Sequence, residues 1–245
     1  HGKSLPEDGT PVYFGEGNTW NTVVDDIYVL HQRLKQRYPD VPLCIMGHSM
    51  GSFLTRTYLI RYPGTVKAAV IMGTGWQPRA AITGGLALAN AIAAVSGENA
   101  TSELVTELAF GSYNKLFAPN RTKVDWLSAD ESNVDDYIAD PLCGADATVG
   151  LFRQMLHGIR FNQRQSHLRQ MDKQMPVLFV AGDKDPVGSC GKGVRQTYDA
   201  FRAAGMRDCT LKLYPGLRHE ILNEKAYAAD ITKDIEAWLL SRLEK

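Results

Sequence analysis

The pentapeptide GHSMG at residues 47–51 comes directly after an apolar run at residues 42–46 and directly before a helical pattern at residues 52–62. A serine between glycines at a strand-to-helix junction is the context of a nucleophile elbow, in which a strained turn lifts the hydroxyl above the sheet. The first N–H groups of the following helix favour a developing oxyanion. The pattern therefore predicts Ser49 as a nucleophile and the Met50 N–H as an oxyanion donor.

Strand and helix patterns alternate on both sides of this pentapeptide. Residues 68–72, 176–181 and 210–214 are short apolar runs typical of buried strands, and residues 194–204 have helical spacing and stop at Gly205. Strands that alternate with helices favour a mostly parallel, doubly wound sheet that is covered on both faces. The predicted fold class is therefore α/β.

A long insertion interrupts the alternation. Residues 73–175 contain helical patches broken by glycines and prolines but no convincing buried strand. We predict a core made of residues 1–75 and 171–245 and an inserted helical cap made of residues 76–170. The apolar cap segment at residues 86–95 either lines an acyl-chain groove, touches a lipid surface or packs onto the core.

A serine hydroxyl is a poor nucleophile near neutral pH, so Ser49 needs a base and an acid that orients the base. Asp185 and His219 each follow a predicted strand, at the sheet edge where α/β folds place their chemistry. The order serine, aspartate, histidine is one that serine hydrolases with this elbow use. Asp183 competes with Asp185 for the acid role. We prefer Asp185, because Pro186 stiffens the loop beyond it, and predict that Asp183 caps a turn.

Composition argues against several other classes of function. Lys plus Arg and Asp plus Glu both number 27, so no net charge draws the chain to nucleic acid. The four cysteines lack zinc-site spacing, and Cys44 lies in an apolar run typical of a buried strand. We expect no metal, no organic cofactor and a cytoplasmic protein. The apolar stretch at residues 80–95 is interrupted and too short to span a bilayer. Surface or packing roles are predicted for His31, His48, His157 and His167.

Together these motifs resemble the monoacylglycerol lipase and lysophospholipase-like α/β hydrolases, a group also described as serine aminopeptidase S33-type or hydrolase-4 proteins. The resemblance spans nearly the whole chain and rests on residues 47–51, on LFVAGDKDPV at residues 178–187 and on RHE at residues 218–220. It implies the α/β-hydrolase fold, a cap over the site and a small acyl ester substrate, such as a monoacylglycerol or a lysophospholipid. Parts of the insertion look like the cap of bacterial members, namely residues 113–114, 125–127 and 140–144.

The start of the chain departs from the family pattern. HGKS at residues 1–4 resembles the end of the family's D-x-R-G-H-G-x-S segment, which follows the fourth strand. The third strand, which pairs in the family with residues 42–46, and one of two oxyanion donors would then precede this chain. We therefore expect the fold to be N-terminally incomplete here and the natural protein to be longer. A match to the family's other His-Gly pair is disfavoured, because no strand pattern lies between Gly2 and the helix that starts near Asn18.

Two other functions stay open from the sequence. A serine aminopeptidase-like amide hydrolase would use the same three residues, and the acidic stretch at residues 130–136 could hold a substrate ammonium group. A non-catalytic binding protein would keep the pocket without turnover, since the fold alone does not decide function. Residues 188–193 lack the spacing of a phosphate-binding loop and are interpreted as a flexible loop. Acyl length, head group and oligomeric state are not determined by the sequence.

Overall fold

The protein is described by a computed structural model that covers Lys3, Leu5 and residues 9–243. Apart from Lys3, the HGKS segment and its comparison with the family's D-x-R-G-H-G-x-S motif lie outside the described residues. Outside the segment between residues 73 and 176, the described strands and helices alternate along the chain in the way that the sequence predicts. The strands are β1 (Ile45–His48), β2 (Ala69–Met72), β3 (Val177–Gly182) and β4 (Cys209–Tyr214). The helices are α1 (Thr19–Arg37), α2 (Met50–Arg61), α3 (Arg79–Ser96), α4 (Glu103–Lys115), α5 (Glu131–Ala139), α6 (Val149–Asn162), α7 (Gln165–Leu168), α8 (Lys192–Ala203) and α9 (Ala228–Leu243).

The four strands form one parallel sheet in the order β1-β2-β3-β4. Because all the strands run the same way, their carboxyl ends meet at one edge, which is the edge that holds the predicted site. Side chains of successive residues point to opposite faces. Ala69, Ile71 and Phe179 pack with α1, α2 and α8, whereas Val70 and Leu178 pack with α9. The prediction of a parallel sheet covered on both faces is therefore confirmed.

The first strand differs from its prediction in position and in burial. It runs over Ile45–His48, so the first two residues of GHSMG belong to the strand and Ser49 follows it directly. Cys44 was expected in a buried run, but it is exposed, and Met46 is 53% exposed. The physical reason is position: β1 has a neighbour on one side only in the described sheet, and the core beneath α9 contains residues of β2 and β3 but none of β1.

The segment between β2 and β3 is helical where the structure describes it. It contains α3 to α7 and one isolated antiparallel bridge between Thr101 and Thr148. The 18 residues of α3 are long and apolar enough to cross a membrane by length and composition, so the prediction that this stretch is too short is wrong. Ile82, Leu86 and Ala89 are buried, and they make up 17% of the helix. Packing is therefore one role of the apolar cap segment. The boundaries between core and cap stay a prediction.

The last long helix of this segment packs directly on the core. Asn162 of α6 donates a hydrogen bond to the Phe53 carbonyl of α2 at 2.8 Å and accepts one from the Thr57 hydroxyl at 2.8 Å. All three residues are buried. The predicted cap range thus includes a helix that is fixed to the helix that follows Ser49.

Candidate active site

Ser49 lies in a strained turn between β1 and α2. Its φ is 54° and its ψ is −121°, a conformation that non-glycine residues rarely adopt and that marks functional turns. The Ser49 N–H donates to the Met72 carbonyl at 3.1 Å, so the turn is tied to the end of β2. A Cβ at position 47 would lie 2.2 Å from the Gly51 carbonyl oxygen, so residue 47 must be glycine. The predicted elbow geometry is present.

The second glycine of the pentapeptide is not needed for the same reason. Apart from its chain neighbours and the adjacent backbone of α2, a Cβ added at Gly51 would meet no heavy atom of the described residues within 4 Å, and the φ of Gly51 is not positive. The motif predicts that the glycines on both sides of the serine permit the turn, and this prediction is wrong for Gly51. Only Gly47 has a steric requirement.

The Met50 N–H is available beside Ser49. Met50 is the first residue of α2, so its N–H has no acceptor within the helix. The Ser49 carbonyl is bonded on the other side, by the Ser52 N–H at 2.8 Å and by the Ser52 hydroxyl at 2.6 Å. The positive end of the α2 dipole thus lies next to the serine side chain, which is the arrangement that favours a negative oxygen there.

Asp185 and His219 are brought together from loops after β3 and β4. The Nδ1 atom of His219 lies 3.0 Å from each carboxylate oxygen of Asp185, and the two side chains are 3% and 0% exposed. The Val187 N–H also donates to Asp185 at 2.9 Å. Asp183 instead accepts the Gly216 N–H at 2.8 Å and so joins the two loops, as a turn-capping residue would.

The orientation of His219 leaves its second nitrogen for the serine. With Nδ1–H donated to Asp185, the Nε2 atom carries the free lone pair of the neutral ring. No hydrogen bond joins the Ser49 hydroxyl to His219 in the part of the chain that the structure describes. Such contacts are commonly long without substrate and shorten when it binds.

Two further aromatic rings pack against His219: those of His48 and Trp126. Of these two residues, only His48 belongs to the GHSMG motif. The His48 ring packs at a tilt of 40° against the His219 ring, with 4.6 Å between the ring centroids, and its Nε2 atom lies 3.0 Å from the His219 carbonyl oxygen. Burial lowers the pKa of His48, and the neighbouring His219 lowers it further, so the neutral ring donates to that carbonyl. A Cβ at Gly73 would lie 3.1 Å from His219 Cε1, which explains a glycine at the end of β2. The packing role predicted for His48 is thus a role at the site itself.

Trp126 is the site residue that the sequence reasoning missed. Its ring centroid lies 5.2 Å from that of His219, although it belongs to a 3₁₀ turn (Asp125–Leu127) inside the predicted cap. The only sequence signal for Trp126 was the DWL segment at residues 125–127, which resembles the cap of bacterial members.

The aromatic neighbours of Trp126 include Tyr113. Burial and the negative charge of Asp185 raise the pKa of Tyr113 to about 12, so the Tyr113 hydroxyl stays neutral. Trp126 belongs to an aromatic cluster with Phe110, Tyr113 and Phe152.

Other candidate sites do not coincide with this one. Within the described part of the chain, no group of three or more His, Cys, Asp or Glu side chains could hold a metal ion. A cavity of about 410 Å³ lies between the start of α1 and α6, lined among others by Trp20, Arg153 and His157. None of the predicted catalytic residues lines this cavity, because they lie at the carboxyl ends of the strands.

Comparison with known proteins agrees with the predicted family. The family described as "Serine aminopeptidase, S33" matches residues 1–226. The monoacylglycerol lipase of Mycolicibacterium smegmatis is 31% identical over 225 residues, which cover 90% of this chain and 70% of that protein. The monoglyceride lipase of Mus musculus is 25% identical over 227 residues, which cover 90% of this chain and 65% of that protein.

Solved structures agree at the level of the fold. A thermostable carboxyl esterase from Bacillus coagulans, in complex with glycerol, superposes with a TM-score of 0.84 at 24% identity and covers 91% of this chain and 72% of that one. The predicted α/β-hydrolase fold and the predicted family resemblance are both confirmed. The chain is therefore a hydrolase-fold protein that belongs to the serine aminopeptidase S33 family of α/β hydrolases and is similar to monoacylglycerol lipases.

Proposed function

We propose that the protein hydrolyses carboxylic esters through an acyl-enzyme formed on Ser49, with His219 as the base and Asp185 as the acid that orients it. The observation that carries this proposal is the buried contact of Asp185 with His219 Nδ1 at 3.0 Å, at the same sheet edge as a serine with φ of 54°. A base held in one tautomer beside a serine in an elbow is the arrangement of serine hydrolases.

The steps follow from these atoms. Ser49 Oγ attacks the ester carbonyl carbon, its proton moves to His219 Nε2, and the carbonyl electron pair moves to the oxygen, which the Met50 N–H binds. When the oxyanion collapses, the bond to the alcohol breaks and the alcohol leaves with the proton from His219. Water then attacks the acyl-Ser49 ester in the same way, and the acid and free Ser49 result. Asp185 keeps the imidazolium oriented and compensated throughout.

The substrate class that we propose is a monoester with an acyl chain, such as a monoacylglycerol or a lysophospholipid. The names of the two lipases reported above support this class. The aromatic cluster around Trp126 supports it independently, because an apolar wall beside the base suits an acyl chain better than a charged group. On this proposal the helices between β2 and β3 act as a cap over the site, and the acidic stretch within it has no part in binding an ammonium group.

One comparison tests the reaction and the substrate class together. The full-length protein and its Ser49→Ala variant are assayed with monoacylglycerols, lysophospholipids and aminoacyl amides, and Ser241→Ala of α9 is the matched control. We expect monoester hydrolysis that Ser49→Ala abolishes and that Ser241→Ala leaves unchanged. Equal rates in wild type and Ser49→Ala would refute the nucleophile. A preference for aminoacyl amides would favour the aminopeptidase, and the absence of turnover in wild type would favour a binding protein.

A further inference from the structure

The loop that carries His219 is bound to the cap on both sides of the histidine. Directly before it, the Arg218 guanidinium donates hydrogen bonds to the carbonyl oxygens of Asp125 and, at 3.0 Å, of Ser128. The same guanidinium lies 4.0 Å from the centroid of the Phe117 ring. One arginine therefore holds two carbonyl groups at the two ends of the turn that contains Trp126.

A carboxylate holds the next part of the same segment. Glu224 is only 2% exposed, and its two oxygens accept the N–H groups of Ala129 at 2.8 Å and Asp130 at 3.0 Å. The Glu220 N–H also donates to the Leu127 carbonyl at 2.8 Å. A buried carboxylate is stable only when such donors satisfy it, so the segment and the loop depend on each other.

Trp126 lies within the segment that these two residues hold. Its own N–H donates to the Asn114 side chain at 3.0 Å, which ties the turn to α4. The centroid of the Trp126 ring lies 5.2 Å from that of the His219 ring. The other neighbours of the His219 ring are the His48 ring, at 4.6 Å, and the Asp185 carboxylate. The torsion that turns an imidazole is broad, so ring orientation depends on what packs around it.

We propose that Arg218 and Glu224 are positioning residues, which clamp the cap segment at residues 125–130 so that Trp126 fixes the orientation of the His219 imidazole towards Ser49. This inference rests on the proposed function, because it concerns the base of that reaction. The clamp acts from one segment of chain: Arg218 lies one residue before His219 and Glu224 five residues after it. A displacement of the cap segment therefore reaches the imidazole directly.

The test uses variants that keep size and remove one function each. Glu224→Gln can accept only one of the two N–H groups, and Arg218→Met cannot donate to the two carbonyls. Lys225→Met is the matched control, because Lys225 joins the same loop to the cap through its exposed contacts with Ser132 and Asp136 of α5. Trp126→Ala and Trp126→Phe form a second pair, which removes or keeps a ring against His219.

Four quantities are measured on the full-length protein: the rate at which a fluorophosphonate labels Ser49, kcat for a monoacylglycerol, KM for the same substrate, and the urea midpoint. We expect Glu224→Gln and Arg218→Met to lower the labelling rate and kcat by about tenfold to a hundredfold, the range that a small misplacement of a reacting group produces. KM is compared separately, because a displaced Trp126 also alters the aromatic wall that we propose for the acyl chain, whereas the labelling rate and kcat report on the imidazole. Trp126→Phe should recover most of what Trp126→Ala loses.

The outcomes separate this inference from the proposed function. If fluorophosphonate does not label Ser49 in wild type, the proposed function fails and the clamp fails with it. If wild type is labelled but folded Glu224→Gln reacts like Lys225→Met, only the clamp is refuted. If Glu224→Gln and Arg218→Met do not fold, equal labelling rates in Trp126→Ala and Trp126→Phe overturn the inference, and a recovery in Trp126→Phe supports it.

Discussion

The Nδ1 atom of His219 lies 3.0 Å from both carboxylate oxygens of Asp185, in a pair whose side chains are 3% and 0% exposed. A carboxylate that is kept from water binds the imidazole in one tautomer and stabilises it when it takes a proton. Asp183, two residues earlier, accepts the Gly216 N–H instead. The two aspartates therefore have different tasks on one loop.

Replacing the two aspartates separately tests this division. We expect Asp185→Asn to lower kcat by about ten-thousandfold, because an amide can impose the wrong tautomer on the histidine. Asp183→Asn keeps an oxygen that accepts the Gly216 N–H and should keep kcat within about threefold. Steady-state kinetics with a monoacylglycerol give both values. A greater loss in Asp183→Asn than in Asp185→Asn would reverse the assignment.

The glycines of GHSMG should respond differently to the same substitution. In Gly47→Ala the new Cβ would lie 2.2 Å from the Gly51 carbonyl oxygen, so the elbow must shift, at a cost of about 1–3 kcal/mol or more. Gly51→Ala adds a methyl group in open space near the start of α2 and should be neutral or stabilising by about 0.5–1 kcal/mol. Urea unfolding at pH 7 measures both. Equal destabilisation would contradict the steric argument.

Gly73 should affect kcat as well as stability, because it lies beside the His219 ring. Gly73 and Gly216 both have positive φ, 57° and 76°, so alanine is strained at either position by about 1–2 kcal/mol. Only at Gly73 would the Cβ approach His219 Cε1 and the His48 ring, at 3.1 Å. We therefore expect similar urea midpoints for Gly73→Ala and Gly216→Ala but a lower kcat in Gly73→Ala alone. A normal kcat in Gly73→Ala would show that the imidazole tolerates the methyl group.

The pKa of His48 predicts a pH dependence of stability. Burial, followed by the charge of His219, lowers this pKa from its ordinary value of 6.5. Below that value the unfolded chain binds the proton more readily than the folded chain, so the free energy of unfolding falls as the pH decreases towards the lowered pKa. His48→Gln keeps a donor for the His219 carbonyl but does not titrate. Urea unfolding at pH 7 and pH 5 should show a smaller loss in His48→Gln than in wild type, and an equal or larger loss would refute the prediction.

Much of the fold could be predicted because its signals are local. The strands that became β2, β3 and β4 are short apolar runs with helical patterns between them, and their positions agree with the prediction within one or two residues. The elbow at Ser49 is equally local, since glycine, strand and helix follow one another within a few residues. Side chains at two strand ends were enough to predict Asp185 and His219 as partners, because parallel strands end at one edge.

The remaining features depend on contacts between distant parts of the chain. Cys44 lies in an apolar run, but its exposure depends on which strands and helices cover β1. Gly51 looks equivalent to Gly47 in the motif, and only the surrounding atoms distinguish the two glycines. Trp126 has no motif that relates it to His219, 93 positions later, and becomes a neighbour through the contacts that Arg218 and Glu224 make with its segment.

By itself the sequence determined the order of strands and helices, the elbow and the choice of serine, aspartate and histidine, because hydrophobic periodicity and turn chemistry act over a few residues. Only the tertiary structure decided that His48 and Trp126 pack against the imidazole and that Arg218 and Glu224 bind residues 128–130. The physical reason is that packing and the hydrogen bonding of buried polar groups depend on residues that are close in space but distant in the sequence.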